Sequence, residues 1–258
     1  MRLMKRILSA AAVLALSASL LVGCSSGTAS SVPVSASSAA ESTVSSVEET
    51  ASSAVDENEA AAAQLLNDLT GSYQELWPVI LADEYKQTWL DDCTALVGEE
   101  NAEAAFEKLS SMVTSDVYGE DAVEAYANGG GAYFCGFTNS LATLTFDGET
   151  STISGTDKDG NVLFSHAYHY IGMEPVRGLY EFESDDADSG EFTYFFLAPD
   201  TSVETYHIEF RYGSDAEALS QYDAGEYAYW LASGISTDCD QTMIDNCIEL
   251  FCTENLAG

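Results

Sequence analysis

The segment from residue 132 to residue 212 constrains the fold more than any other part of the chain, because apolar and polar residues alternate along it in short runs. Alternation with a period of two predicts β-strands that bury one face. Turn-forming sequences such as Asp147-Gly148 separate the runs. Several short strand-like runs at this close spacing along the chain predict an antiparallel sandwich or barrel. Seven runs follow the pattern: residues 132–138, 141–146, 150–154, 162–170, 179–183, 192–197 and 205–212.

Helical patterns lie on both sides of these strands. Apolar residues from Leu69 to Leu81 recur at helical spacing. The pattern therefore predicts one α+β domain, with an antiparallel barrel between N-terminal and C-terminal helices. Further helices are predicted over residues 102–113, 121–127, 215–222 and 241–253.

The first 24 residues predict export. Three basic residues within the first six positions precede an apolar run from Ile7 to Val22, as in a secretory leader. The run ends at Leu21-Val22-Gly23-Cys24, which resembles a bacterial lipobox with Cys24 as the acylated residue. No later segment reaches the roughly 18 apolar residues of a membrane span. We therefore expect the extracytoplasmic face of a bacterial cell membrane, with the lipid on Cys24 as the only anchor.

A compositional change divides the remaining chain. Residues 25–58 consist mainly of Ser, Ala, Thr, Val and Glu and contain no aromatic residue. Such a sequence buries too little apolar surface to fold, so it predicts a disordered tether. The expected organisation is a lipoprotein signal peptide over residues 1–24, the tether over 25–58 and a folded domain over 59–258.

The charge of the chain excludes one class of partner. The sequence has 8 Lys and Arg against 43 Asp and Glu, and a net charge of −35. Removal of the leader takes away three of those basic residues and leaves −38. Nucleic acid is excluded as a partner because binding to phosphates needs clustered Lys and Arg. Cations remain attractive partners, although an acidic surface also serves solubility alone.

Five cysteines remain when Cys24 is set aside, so at least one thiol stays unpaired within the chain. No Cys-x-x-Cys sequence supports a zinc knuckle or a thioredoxin-like site. Disulfides are compatible with export, but the sequence does not assign pairs. Cys247 and Cys252 are poorly placed to bond to each other if their segment is helical.

The run from 205 to 212 carries the candidate metal ligands. If the run is a strand, Thr205, His207, Glu209 and Arg211 share one face. Side chains two positions apart on a strand lie about 6.6 Å apart and converge on one ion. Asp200, just before this strand, supplies a third donor. The alternative is that Glu209 pairs with Arg211 and that His207 is a hydrogen-bonded residue of a polar barrel face.

The other two histidines are interpreted as structural. His166 and His169 lie three apart in a predicted strand and therefore point to opposite faces. The acidic loop at 185–188 lacks the spacing of an EF-hand. No serine-nucleophile, zinc-protease or phosphate-loop motif is present, so we do not expect an enzyme.

Six stretches of the sequence are informative together: residues 69–79 (Leu-Thr-Gly-Ser-Tyr-Gln-Glu-Leu-Trp-Pro-Val), 144–161, 176–183, 186–190, 205–213 and 217–219. In this order they resemble the ZinT family, also called YodA, whose members are exported zinc- and cadmium-binding proteins. The same domain is fused to some solute-binding lipoproteins of zinc uptake. The resemblance covers about residues 65–255.

The resemblance implies a calycin-like, lipocalin-related barrel with a metal near its mouth. Family members bind the metal through three histidines. The first corresponds here to Asp200, and the His-x-His pair corresponds to His207 and Glu209, so two of three positions depart from the family. If the family motif is instead aligned on Ala198-Pro199, the first histidine corresponds to Phe195, and the site loses one ligand.

Three functions follow as expectations. The first is a lipoprotein that binds a divalent transition metal for uptake or buffering, with Zn(II) first and Mn(II) or another divalent ion as the alternative. Its partners are that ion and a metal ABC transporter or the solute-binding protein of one. The second is a calycin-type surface lipoprotein that binds a small molecule or peptide and whose metal site has decayed. The third is a structural or interaction lipoprotein.

Overall fold

The computed structural model describes residues 57–200 and 202–257. The leader, Cys24 and the predicted tether up to residue 56 lie outside the described residues. The description begins in a helix over residues 57–68, called α1, so the last two residues assigned to the tether are helical.

An antiparallel β-barrel forms the centre of the domain. Each strand pairs antiparallel with the next one along the chain, and β8 pairs with both β7 and β1, which closes the barrel. This architecture confirms the predicted α+β fold and the calycin-like barrel. The strands are β1 (Gly71–Glu75), β2 (Thr143–Asp147), β3 (Thr152–Thr156), β4 (Val162–Met173), β5 (Tyr180–Ser184), β6 (Tyr194–Leu197), β7 (Ile208–Gly213) and β8 (Ala232–Ser236).

The two strands that close the barrel were absent from the sequence prediction. In β1 only Tyr73 is buried, and its spacing from Leu69 and Leu76 also fits a helix. In β8, Ala-Ser-Gly-Ile-Ser has little β-propensity and is buried on both faces, so no alternation marks it. Gly234 lies in β8, between the partner strands β7 and β1. A Cβ added at Gly234 would lie 3.1 Å from Ile208 and 3.3 Å from Tyr73.

The predicted strand over residues 132–138 is wrong. Cys135 and Phe137 are buried in alternation, as a strand would have them. However, the backbone N–H groups of this segment mostly bond outside any ladder. Phe137 donates to the Glu75 carboxylate at 2.6 Å, and Thr138 donates to the Tyr212 hydroxyl at 2.6 Å. The segment is therefore an irregular connection that packs against the barrel.

Large aromatic side chains fill the barrel interior. Phe195 and Tyr212 have no exposed surface, and their rings lie 5.3 Å apart. The apolar face of α1, formed by Ala62, Leu65 and Leu66, belongs to the same core. Burial of this aromatic surface is the main favourable contribution to folding.

A second core lies between the helices and the outer face of the barrel. Ile235 of β8 packs there with Trp89, Cys93 and Cys252.

Within the described residues, no helix has both the length and the apolar character of a bilayer span. After α1, the helices are α2 (Leu76–Ile80), α3 (Lys86–Val97), α4 (Glu99–Ser111), α5 (Glu120–Ala127), α6 (Ser202–Thr205), α7 (Ala216–Leu219) and α8 (Gln241–Leu256), with 3-10 turns at Asp83–Tyr85 and Gly190–Phe192.

The turn between β2 and β3 approaches α1 closely and gives a test of this packing. Gly148 donates its N–H to the Thr70 hydroxyl at 3.0 Å, and an added Cβ would lie 2.4 Å from the Cα of Asn67 and 2.6 Å from the carbonyl oxygen of Leu66. These are backbone atoms that cannot rotate away. We expect Gly148→Ala to lower the free energy of unfolding by about 2 kcal/mol in urea denaturation.

Gly172→Ala is the matched control, because its added Cβ would lie 3.8 Å from the nearest atom, which belongs to the side chain of Glu181. This variant is expected to stay within about 0.5 kcal/mol of the parent. Equal losses in both variants would contradict the close approach of the turn to α1.

Candidate metal site

The candidate ligands lie around the beginning of β7. Ile208, Phe210 and Tyr212 point into the barrel core, as the alternation predicts. The predicted strand begins three residues too early, because Thr205 ends α6 and Tyr206 has a φ of 65°. This left-handed residue redirects the chain immediately before His207.

Arg211 does not pair with Glu209, which was the alternative interpretation of this segment. Its side chain is completely buried and its guanidinium donates to the backbone oxygens of Leu219, Gln221 and Tyr227. The guanidinium carbon also lies 4.4 Å from the centre of the Tyr222 ring. Burial lowers the pKa of Arg211 to about 10. Arg211 therefore holds the segment after α7 against β7, and Glu209 is left for other contacts.

His207 is oriented by its own backbone neighbour. Its Nδ1 lies 2.7 Å from the carbonyl oxygen of Thr205. A carbonyl oxygen only accepts, so Nδ1 carries the hydrogen and the neutral ring has its lone pair on Nε2. A histidine that donates one ring N–H to a carbonyl and presents the other nitrogen is the usual arrangement of a metal ligand.

Three carboxyl groups from different parts of the chain interact electrostatically with His207 or with one another. Asp200 follows β6, Glu209 lies in β7, and Glu254 lies in the last turn of α8. Burial raises the pKa of Glu254, and Glu209 and Asp200 raise it further, whereas His207 lowers it. Burial and then Glu204 raise the pKa of Asp200, and His207 again lowers it. The sequence prediction missed Glu254, which is separated from His207 by β8 and most of α8.

Cys247 is the second residue at this site that the sequence prediction missed. Its Sγ lies 3.9 Å from Nδ1 of His207, and Cys247 precedes Glu254 on α8 by about two helical turns. Burial raises the pKa of this thiol to about 12, with further increases from Glu254, Cys239 and Glu209. The thiol is therefore protonated in the metal-free domain, which makes it a poor ligand compared with the carboxylates.

The donor set fits a divalent cation chemically. A neutral imidazole with two or three carboxylates suits Zn(II), Mn(II) or another borderline to hard ion. Throughout residues 57–200 and 202–257, no three His, Cys, Asp or Glu side chains are already close enough to enclose an ion. Binding would therefore require the exposed carboxylates of Asp200 and Glu254 to rotate toward His207.

The other histidines belong to a separate group and point to opposite faces, as predicted. His166 lies on the inward side of β4 next to Phe164, and its Nδ1 is 2.7 Å from Asp186. His169 lies on the outward side, with Nδ1 2.7 Å from Asp185. The acidic loop therefore contacts both histidines through carboxylate side chains, Asp186 at His166 and Asp185 at His169.

No family model matches the sequence, and no curated protein matches it either. Among solved structures, the chain is similar to the Zn(II)-bound ZinT-like domain of Streptococcus pneumoniae AdcA, with 15% identity and a TM-score of 0.45 over 72% of this chain and 89% of that domain. It is also similar to Zn(II)-bound AdcA from Streptococcus pneumoniae, with 15% identity and a TM-score of 0.42 over 70% of this chain. The match spans 34% of that longer protein.

The crowded carboxylates predict the pH dependence of the metal-free domain. Because the pKa values of Asp200 and Glu254 are raised by folding, the folded chain binds these protons more tightly than the unfolded chain does. Their contribution to stability is therefore present at low pH and lost as the pH rises above the ordinary carboxyl values of 3.8 and 4.5. In the presence of a chelator, we expect the double variant Asp200→Asn, Glu254→Gln to lose less stability than the parent as the pH rises from below 3.8 toward neutral.

Urea unfolding at several pH values measures this difference. Glu124→Gln, an exposed substitution on α5, is the control and should leave the slope of the parent unchanged. Parallel slopes for the double variant and the parent would mean that the two carboxylates do not repel their neighbours in the folded chain.

Proposed function

We propose that this protein is a ZinT-related, extracytoplasmic lipoprotein that binds a divalent transition metal, with Zn(II) as the first candidate. The observation that carries the proposal is that His207 interacts electrostatically with Asp200 and Glu254 while its Nδ1 donates to a backbone carbonyl, which leaves Nε2 for a ligand. Burial and the charges of Glu209 and Asp200 raise the pKa of Glu254, and a bound cation would relieve that repulsion.

The proposed ligands are His207, Glu209 and Asp200, with Glu254 as an additional oxygen donor. Glu209 lies in β7 and His207 immediately precedes that strand, so the barrel holds both near its beginning. Asp200 and Glu254 come from more exposed positions and would close on the ion. One nitrogen donor with oxygen donors is a harder set than three histidines, so we expect weaker zinc affinity than a three-histidine site has and better acceptance of Mn(II).

The interior of the barrel gives no support to small-molecule binding as the alternative function. Phe195, Phe210 and Tyr212 have no exposed surface and pack ring against ring, and Phe182, which is 1% exposed, packs against Tyr170. A ligand of the size that calycins bind would have to displace these rings, at a cost of several kcal/mol.

Uptake or buffering is the physiological role that we propose. Held outside the membrane through Cys24, the domain would collect ions from the surroundings. Its strongly negative charge would attract cations, and exposed carboxylates allow release to a metal transporter or to its solute-binding protein. The role is that of a binding protein, with no reaction assigned to it.

The metal-binding proposal predicts the effect of ligand substitutions. After chelator treatment, the wild type should bind about one Zn(II) per chain, and His207→Ala and Glu209→Ala should each weaken binding by more than about tenfold. Glu254→Gln should weaken it less, since it removes one of several oxygen donors. Isothermal titration with Zn(II) and with Mn(II) measures these affinities, and they should fall as the pH is lowered through about 6.5.

His169→Ala is the matched control, because His169 also has carboxylate neighbours but lies on β4. It should bind as the wild type does, and circular dichroism should show that every variant is folded. Unchanged binding in both His207→Ala and Glu209→Ala would place the ion elsewhere on the acidic surface. Absence of saturable binding by the wild type would reject the function.

The anchor has its own test. We expect Cys24→Ala to convert the protein from a membrane-bound to a soluble exported form, since the acylated cysteine is the proposed attachment. Immunoblotting of membrane and soluble fractions after a high-salt wash measures the distribution. A Cys24→Ala protein that stays with the membrane would show that another part of the chain attaches it.

A further inference from the structure

Two cysteines from distant parts of the sequence meet in the helical core. Cys93 lies in α3 and Cys252 lies in α8, with 159 positions between them. Their Sγ atoms are 3.9 Å apart, and neither side chain is exposed. The contact lies between two helices that pack against each other over much of their length and share the second core.

We propose that Cys93 and Cys252 form a disulfide in the exported protein, which links α3 to α8. Two thiols lose two protons and two electrons, and the electrons reduce the disulfide of an oxidising thiol–disulfide exchange protein to two thiols. One cysteine attacks that disulfide as a thiolate and forms a mixed disulfide, and the second then displaces the reduced partner. An exported chain meets such oxidants, whereas a cytosolic chain does not.

The geometry requires only a small adjustment. A disulfide has an S–S distance of about 2.05 Å, so the two sulfur atoms must approach by about 2 Å. Rotation about the Cα–Cβ bonds and a slight shift of the helices provide that distance. The other cysteine of α8, Cys247, faces His207 on a different side of the helix, which leaves Cys252 to face Cys93.

Burial determines when the bond forms. In the folded domain neither thiol has exposed surface, so a protein oxidant cannot reach either sulfur atom. The exchange must therefore take place while the chain folds after export, before α3 and α8 cover the pair. Once formed, the bond would be protected from reductants by the same burial.

The bond would also affect the candidate metal site, although the inference does not depend on metal binding. Cys252 lies two residues before Glu254, so a link to α3 would fix the last turn of α8 and the carboxylate that it carries. A closed loop of this length strongly restricts the unfolded chain, so the disulfide should also raise the melting temperature.

Peptide mapping of the full-length chain exported into an oxidising periplasm tests the proposal. The protein is denatured without reductant, alkylated with N-ethylmaleimide, digested and analysed by mass spectrometry. We expect a linked peptide that contains Cys93 and Cys252, and alkyl label on Cys135, Cys239 and Cys247. Alkyl label on both Cys93 and Cys252 would overturn the proposal, as would a linked peptide that joins either of them to another cysteine.

Thermal unfolding provides the second measurement. The wild type is unfolded with or without reductant and then refolded. The reduced protein should have a melting temperature roughly 5–15 °C below that of the protein refolded without reductant. Cys239→Ser, at a half-buried cysteine outside the pair, should retain both the linked peptide and the drop. Cys93→Ser, Cys252→Ser should show no drop. If unfolding and refolding with reductant left the melting temperature of the wild type unchanged, a stabilising link would be contradicted. The zinc titration tests metal binding independently of these two measurements.

Discussion

The closure of the barrel by β8 is the constraint on which the rest of the structure depends. This short strand pairs with β7 on one side and with β1 on the other, and thereby joins the two ends of the folded chain. Its residues are small, which lets the neighbouring strands approach, and closure removes the free edges that an open sheet would expose. The inner face of β8 completes the aromatic core, and Ile235 on its outer face begins the helical core.

The two cores carry out different tasks. In the barrel interior, the rings of Phe195, Phe210 and Tyr212 pack against one another. The helical core brings α8 to the outer face of the barrel, so that Glu254 and Cys247 reach the beginning of β7. A site that depends on both the barrel and the C-terminal helix therefore forms only when the two cores are packed together.

Charge connects the site to the rest of the chain. Two of the basic residues in the described part make contacts elsewhere. Arg211 donates hydrogen bonds to backbone carbonyl groups, and the guanidinium of Arg177 stacks on Tyr133 and Tyr222. When His207 is protonated, its charge lowers the pKa of Asp200 and Glu254. A chain with this excess of acid favours a cation at the places where its carboxylates meet, and the beginning of β7 is such a place.

The sequence by itself determined the fold class, six strands of the barrel and the inward alternation of β7, because these follow from local periodicity and turn chemistry. It also placed Asp200, His207 and Glu209 near one another, since they are neighbours along the chain. It did not reveal β1 and β8, whose burial comes from partners distant in sequence and not from their own pattern. Nor did it reveal the approach of Glu254 to His207 or of Cys252 to Cys93. These contacts were decided by the tertiary structure alone, because they exist only where the C-terminal helix packs against a closed barrel and its neighbouring helix.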